Sequence, residues 1–279
     1  MAGAIRVGTS GWSYDDWVGP FYPPGVHSAD LLPHYCRHFD TVEIDSTFYR
    51  PPSEQMVRNW AARTPEGFVF ALKMPRSITH EKLLLDCDGD MDELLPALAP
   101  LRSKLRAILL QFSYFNRAAF ASPRPFLQRL DRFLASYAAR VPLACEIRNR
   151  GWLNRDYFEL LRRHKVSATL VEHAWLPPID WLIAQQDVVT GSLAYVRLIG
   201  DRDGIEKTTR SWGKLVLDRT ADLQRIAAAL REVARRADVL VYINNHYAGH
   251  GPASCRQLRA CLSAGEGSAA STDAAVPIG

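Results

Sequence analysis

A chain of 279 residues with 47% hydrophobic side chains can bury one large core, which excludes a disordered chain. Its 34 basic against 30 acidic residues leave a net charge of +4, too small a surplus to indicate nucleic acid by itself. No apolar run approaches the roughly 18 residues that a membrane span needs, and the five scattered cysteines contain no C-x-x-C pair, which points to reduced thiols rather than a disulfide framework or zinc knuckle.

The amino terminus passes from Met1 to Ala4 straight into a strand-like Ile5-Arg6-Val7 and lacks the basic and apolar regions of a signal peptide, so the expected compartment is the cytoplasm. In chain order, β-rich apolar runs occupy residues 5–10, 41–48, 68–74, 105–112, 142–148, 167–173, 193–200 and 239–245. Most are followed by a helical stretch. Phe126, Leu127, Leu130, Phe133, Leu134 and Tyr137 form one apolar stripe, and Leu223, Ile226, Ala227, Leu230, Val233 and Ala234 form another. Ser122-Pro123 and Asn154 stand where helices begin. The sixth crossover, 174–191, is the least regular, with Pro177-Pro178 and a short helical pattern around 181–186.

Alternating strand and helix predicts a parallel sheet. Eight units closed on themselves remove both sheet edges, so the expected fold is an α/β (β/α)8 barrel of the TIM type, one domain over residues 1–262. An open doubly wound sheet is the alternative, without a G-x-G-x-x-G or P-loop to anchor it. Residues 263–279 are small and polar and predict a disordered tail.

Strand residues of a barrel alternate between lumen and helix layer. With the more apolar parity facing the helices, the lumen receives Arg6, Gly8 and Ser10, then Glu43 and Asp45, Lys73, Gln111, Glu146 and Arg148, Tyr195 and Arg197, and Tyr242 and Asn244. On the sixth strand Glu172 and His173 point opposite ways, and pattern does not say which enters. Buried ions without partners cost several kcal/mol, so these must pair or meet solvent and ligand. Pairing is expected for Arg6, low in the barrel, with Glu43 as partner. Asp45, Lys73, Glu146, Arg148 and Arg197 fall at the carboxyl ends of strands, the face that carries chemistry in such barrels.

The same residues form an ordered series. It runs from Gly8-Thr9-Ser10-Gly11-Trp12-Ser13-Tyr14 and Trp17-Val18-Gly19-Pro20-Phe21-Tyr22-Pro23 to Val42-Glu43-Ile44-Asp45-Ser46-Thr47-Phe48-Tyr49, Phe68-Val69-Phe70-Ala71-Leu72-Lys73 and Thr79-His80. Glu146-Ile147-Arg148 with Trp152, Tyr195-Val196-Arg197-Leu198, and Tyr242-Ile243-Asn244-Asn245 with Gly249 complete it. Over residues 5 to 262 the chain resembles the domain-of-unknown-function 72 family, also called YecE-like. The resemblance implies a TIM-type barrel and no assigned activity. Ile199 stands where the family often has His, and Glu172-His173 where the sixth strand often ends in Asp.

Lys73, Arg148 and Arg197 suit a phosphate or carboxylate. Glu43, Asp45 and Glu146 are candidates for acid–base work, since crowded carboxylates in a low-dielectric lumen separate in pKa. His80, taken up through the family motif, is a candidate proton carrier. Trp12 could stack on a ring, while Trp17 and Phe21 are expected to lid the barrel by packing on Phe48 and Tyr49. Gln111, Tyr242, Asn244 and Asn245 offer polar contacts to substrate. A metal site drawn from Asp45, Glu146, Glu172 and His173 lacks H-x-H or H-x-x-E spacing and faces nearby cations; no cofactor is required, and a divalent metal stays open. The arginines around 124–132 and 225–236 read as solvated helix surface.

The function expected is that of an enzyme, a hydrolase or lyase, acting on a small anionic substrate by carboxylate acid–base catalysis. The alternatives are a non-catalytic sensor of an anionic metabolite and, by fold analogy alone, a nucleic-acid phosphodiesterase. No membrane partner is expected.

Overall fold

The computed structural model describes residues 2–269. Its strands are β1 (Ile5–Thr9), β2 (Thr41–Ile44), β3 (Val69–Lys73), β4 (Leu105–Gln111), β5 (Leu143–Glu146), β6 (Ser167–His173), β7 (Leu193–Gly200) and β8 (Asp238–Ile243). The helices are α1 (Leu31–Tyr35), α2 (Glu54–Ala62), α3 (Asp88–Leu98), α4 (Pro123–Tyr137), α5 (Arg155–Arg163), α6 (Ile179–Gln185), α7 (Arg202–Glu206), α8 (Thr220–Ala234) and α9 (Gly251–Ala269). All ladders are parallel, in the order β1-β8-β7-β6-β5-β4-β3-β2, which makes a nearly closed eight-stranded barrel.

The expected stripes supply the helix layer. Phe126, Leu130, Phe133, Leu134 and Tyr137 are buried on α4, and Leu223, Ile226, Ala227, Leu230, Val233 and Ala234 on α8. Asn154 caps α5 by accepting from the Tyr157 amide, whereas the Ser122 hydroxyl makes no cap bond to α4. Several strands end earlier than their apolar runs: β2 stops at Ile44, β5 at Glu146 and β8 at Ile243. The last helix continues through Ala269, beyond the boundary at 262 expected from composition; residues 270–279, the rest of that expected tail, lie outside the described residues. Among the described residues no helix is long and apolar enough to cross a membrane, and all five cysteines are free.

Two apolar layers flank the sheet. Val42, Ile44, Phe68, Phe70 and Leu72 face the helices, while Val69, Ala71, Ala107, Leu109, Ala144, Leu193, Tyr195, Leu240 and Tyr242 form a plug inside the barrel. The plug fills the lower lumen and leaves the polar residues only the carboxyl end. Arg6 lies below it, bound to Asp40 at 3.0 Å and to the Gly67 carbonyl at 2.9 Å, not to Glu43.

Closure is incomplete between β1 and β2, where only a Ser10–Glu43 bridge and a 2.7 Å bond from the Gly11 amide to the Glu43 carbonyl cross directly. The Tyr35 hydroxyl from α1 fills the gap. It accepts from the Thr9 amide at 2.9 Å and donates to the Thr41 carbonyl at 3.0 Å, so one phenol replaces one ladder bond. Gly8 makes the approach possible, since a Cβ there would stand 2.1 Å from the Thr41 oxygen.

The first loop also packs differently from expectation. Trp17 rests on Tyr14, Phe21, Tyr22 and His250 rather than on Phe48 and Tyr49. Its indole donates to Asn245 Oδ1 at 3.2 Å, which also accepts from the Gly251 amide at 2.9 Å. Asn245 thus ties the first loop to the last helix.

Replacing Tyr35 by Phe leaves the Thr9 amide and Thr41 carbonyl without their partner in a dry seam. The expected loss is about 2–4 kcal/mol of unfolding free energy, read from urea denaturation; a loss below about 0.5 kcal/mol would show that the seam closes without the phenol.

Candidate active site

Above the apolar plug lies a tier of ions. Arg197 on β7 is 5% exposed and is grasped from two sides. Its Nε and Nη2 donate to Glu43 Oε1 at 3.2 and 2.9 Å, and its Nη1 donates to Glu146 Oε2 at 3.0 Å. The remaining valences of Glu43 go to Ser10 Oγ at 2.8 Å and the Tyr195 hydroxyl at 2.5 Å. Arg148, two residues beyond Glu146, donates from Nε to Glu146 Oε1 at 2.5 Å. Burial alone would raise the Glu146 carboxyl, but the Arg148 and Arg197 guanidiniums overcome it and hold it down at about 2. Both glutamates are sealed from solvent.

The outer tier is more open. The chain leaves the strand conformation at Asp45 and turns through Ser46–Phe48. The buried Thr47 hydroxyl reaches the carbonyls of Ile44 at 2.9 Å and Lys73 at 2.7 Å, which locks this turn to the end of β3. Asp45 therefore stands at the mouth with its side chain 31% exposed, 3.5 Å from Arg197 Nη2. Burial first, and then the Glu43 charge, push its carboxyl up to about 6 against the pull of Arg197 and Lys73. Lys73 Nζ lies 4.0 Å over the Phe48 ring. Burial and then Arg197 lower its ammonium, while Asp45, Glu146 and Glu43 act the other way.

The same Phe48 ring meets the His80 imidazole edge-on at 4.9 Å. His80 bonds Thr79 Oγ1 at 2.9 Å through Nδ1 and Ser113 Oγ at 3.0 Å through Nε2. Burial, then Lys73 and Arg76, lower its pKa. Gln111, beside Glu146 in the β4–β5 ladder, makes no side-chain hydrogen bond among the described residues. The β6 ambiguity is resolved by Glu172, which turns to the helix layer and meets Arg225 at 2.6 Å and the Ile179 amide at 3.1 Å. His173 follows a register shift and lines a cleft of about 520 Å³ with Glu172, Gly200, Asp201, Arg219 and Tyr247. Burial and then Arg148 lower its pKa, with Glu146 acting the other way. Among the described residues no three His, Cys, Asp or Glu side chains converge to hold a metal ion.

A family model described as "Protein of unknown function DUF72" matches residues 6–276. The chain belongs to the DUF72 family. It is similar to the UPF0759 protein YecE of Escherichia coli K12, 32% identical over 145 residues, which is 52% of this chain and 48% of that protein. The UPF0759 protein YunF of Bacillus subtilis 168 is 30% identical over 161 residues, 56% of this chain and 54% of that one. These alignments span about half the length of the curated relatives. A solved DUF72 protein of Thermotoga maritima MSB8 superposes with a TM-score of 0.76 at 26% identity, over 93% of this chain and 99% of that one.

Within this DUF72 barrel the predicted site residues separate by depth. Asp45, Lys73, Arg148, His80 and Gln111 gather toward the mouth. Glu43, Glu146 and Arg197, expected in acid–base and substrate-binding roles, lie deeper and pair with one another. Tyr242, expected to contact substrate, lies in the apolar plug and bonds Thr41 Oγ1 at 2.7 Å. Asn245 is the structural tie already described. Asn244 Oδ1 is taken by the amide and ring nitrogen of His246, at 3.0 and 2.6 Å. Trp12 packs edge-on against Trp60 of α2, its centroid 6.1 Å away. Ser113 was absent from the expected set, although the parity that selects Gln111 reaches it one step further along the chain.

Replacing Arg197 by Met strands two sealed carboxylates and is expected to cost about 3–5 kcal/mol in unfolding free energy, more than any single change at the mouth. The two shifted acids should give opposite pH slopes. Stability from Glu146 is in place above its unfolded value of 4.5 and is lost as pH falls toward about 2. Asp45, raised from 3.8 to about 6, is a penalty present above pH 6 and absent below 3.8. Asp45→Asn should therefore stabilise at pH 7 by about 1–2 kcal/mol, after allowance for solvent screening, and not at pH 3.5. Urea titrations at the two pH values measure both.

Proposed function

We propose that this DUF72 protein is an enzyme that binds a small phosphate- or carboxylate-bearing substrate at the barrel mouth and uses Asp45 as its general base. The observation that carries this reading is the contrast among three neighbouring carboxylates. Glu43 and Glu146 are sealed and paired, whereas Asp45 opens to the mouth with a pKa moved to about 6. A base poised near neutrality, ionised at pH 7 yet weakly solvated, is what proton abstraction requires.

Lys73 and Arg148 supply the anion contact. Arg148 spends Nε on Glu146, and its two terminal nitrogens make no protein hydrogen bond among the described residues. Among the described residues the Lys73 ammonium makes no hydrogen bond or salt bridge and lies over the Phe48 face. Arg197 orients the carboxylates from behind and stays out of reach. The Gln111 amide, beside Glu146 in the β4–β5 ladder, supplies a neutral donor and acceptor for the substrate's polar groups.

Calorimetric titration with inorganic phosphate and sulfate tests the anion contact; binding should weaken at least about tenfold in Lys73→Met and in Arg148→Met, each removing one charge-assisted contact. A substrate screen over hydrolase and lyase reactions tests the chemistry. Turnover should rise with pH through about 6 and fall about 10²-fold or more in Asp45→Asn. Anion binding without turnover in any class would favour a sensor, and the absence of both would remove the proposal.

A further inference from the structure

We propose that Ser113 is the nucleophile of a serine–histidine pair at the barrel mouth, with His80 Nε2 taking its proton, and that the substrate class is a carboxylic ester bearing an anionic group. This inference rests on the mouth being a reaction centre and names the bond that reacts there.

Ser113 is exposed two residues beyond β4, on the face where the strands end. Its Oγ stands 3.0 Å from His80 Nε2, within reach for proton transfer. The other ring nitrogen is held as well. Thr79 is buried, and its hydroxyl has one proton and two acceptors, the Pro75 carbonyl at 3.4 Å and His80 Nδ1 at 2.9 Å. When that proton goes to Pro75, the Thr79 oxygen accepts Nδ1–H and Nε2 is left bare toward Ser113. Thr79 is thus the positioning residue, in the place that a carboxylate holds in other triads.

The backbone around the pair is shaped for it. Residues Ser77–Glu81 form a π-helical turn, and Leu83, Leu84 and Asp86 follow at φ of 48°, 67° and 49°, in the left-handed region unfavourable for these residue types. Such wide turns and strained positions collect at functional sites. Phe48 then fixes two reactive groups at once, with the imidazole at its edge and the Lys73 ammonium over its face. The Lys73 charge favours a neutral imidazole.

In the reaction, the Ser113 Oγ–H bond breaks and its proton passes to Nε2 as Oγ bonds the acyl carbon. The carbonyl electron pair moves onto oxygen, where Lys73 stabilises it. The pair returns, the ester C–O bond breaks, and the leaving alcohol takes the proton from Nε2. Asp45, the general base of the proposed function, then takes one proton from the water that attacks the acyl–serine; the proton returns to Ser113 Oγ as the acyl–oxygen bond breaks, and the carboxylic acid leaves.

The test uses the full chain and a fluorophosphonate, which transfers its phosphorus to an activated serine with loss of fluoride. Mass spectrometry should find one adduct on Ser113, absent in Ser113→Ala. Its rate should fall at least tenfold in His80→Gln and in Thr79→Val and be retained in Thr79→Ser, with folding of each variant checked by circular dichroism. The labelling rate should rise with pH at a midpoint below 6.5, as His80 deprotonates. No adduct on Ser113, or a rate unchanged in folded His80→Gln, overturns the proposal. Phosphate binding with an unreactive Ser113 removes this inference alone; labelling without anion binding removes the anion-binding reading and leaves the nucleophile.

Discussion

Arg197 between Glu43 and Glu146 is the constraint on which the upper half of this barrel depends. A guanidinium and two carboxylates share a lumen closed to water, where the attraction between them is strong and the cost of leaving any one alone is stronger. The three side chains come from β2, β5 and β7, so the network cross-links strands that are not neighbours in the sheet. Tyr195 and Ser10 extend it to a fourth attachment on β7 and to the end of β1. A set of this kind is a poor source of net stability compared with an apolar plug, which is what the lower lumen contains. Its value lies in geometry, because it places charged groups at one height on several strands.

The network also explains why three carboxylates close together behave differently. Glu146 is flanked by two guanidiniums and stays ionised into strong acid, whereas burial first and then the Glu43 charge raise Asp45 toward neutrality against the pull of Arg197 and Lys73. The separation follows from burial and from the charges around Arg197 rather than from residue type. Lys73 is balanced between Arg197 and the same acids. With three cations and three carboxylates in the group, the mouth carries little net charge, and its preference for an anion comes from which donors remain unused.

Position at the mouth depends equally on short strands. β2 ends one residue before Asp45 and β5 two residues before Arg148, so both side chains leave the tightly spaced ladder and gain freedom to meet solvent. The barrel is nevertheless held shut at its weakest join by a side chain, the Tyr35 phenol, in place of backbone pairing. Closure and opening are therefore built from neighbouring segments of the same seam, with Glu43 lining it below and Asp45 at its upper end.

Much of this was legible from the residues alone. Strand–helix alternation and the 3.6-residue stripes of α4 and α8 specify the barrel, since each apolar face has one economical place to be buried. Period-two alternation put Glu43, Asp45, Lys73, Gln111, Glu146 and Arg197 on the inner side for the same reason, and the family motifs agree. Parity carries no information about depth or partner, however. It could not show that Arg6 meets Asp40, that Asn245 serves Trp17 and Gly251, or that Glu172 turns outward to Arg225. Nor could it separate sealed Glu146 from open Asp45, or bring His80 to Ser113 from the loop of another strand. Those outcomes depend on distances between segments far apart in the chain, which only the closed tertiary structure sets.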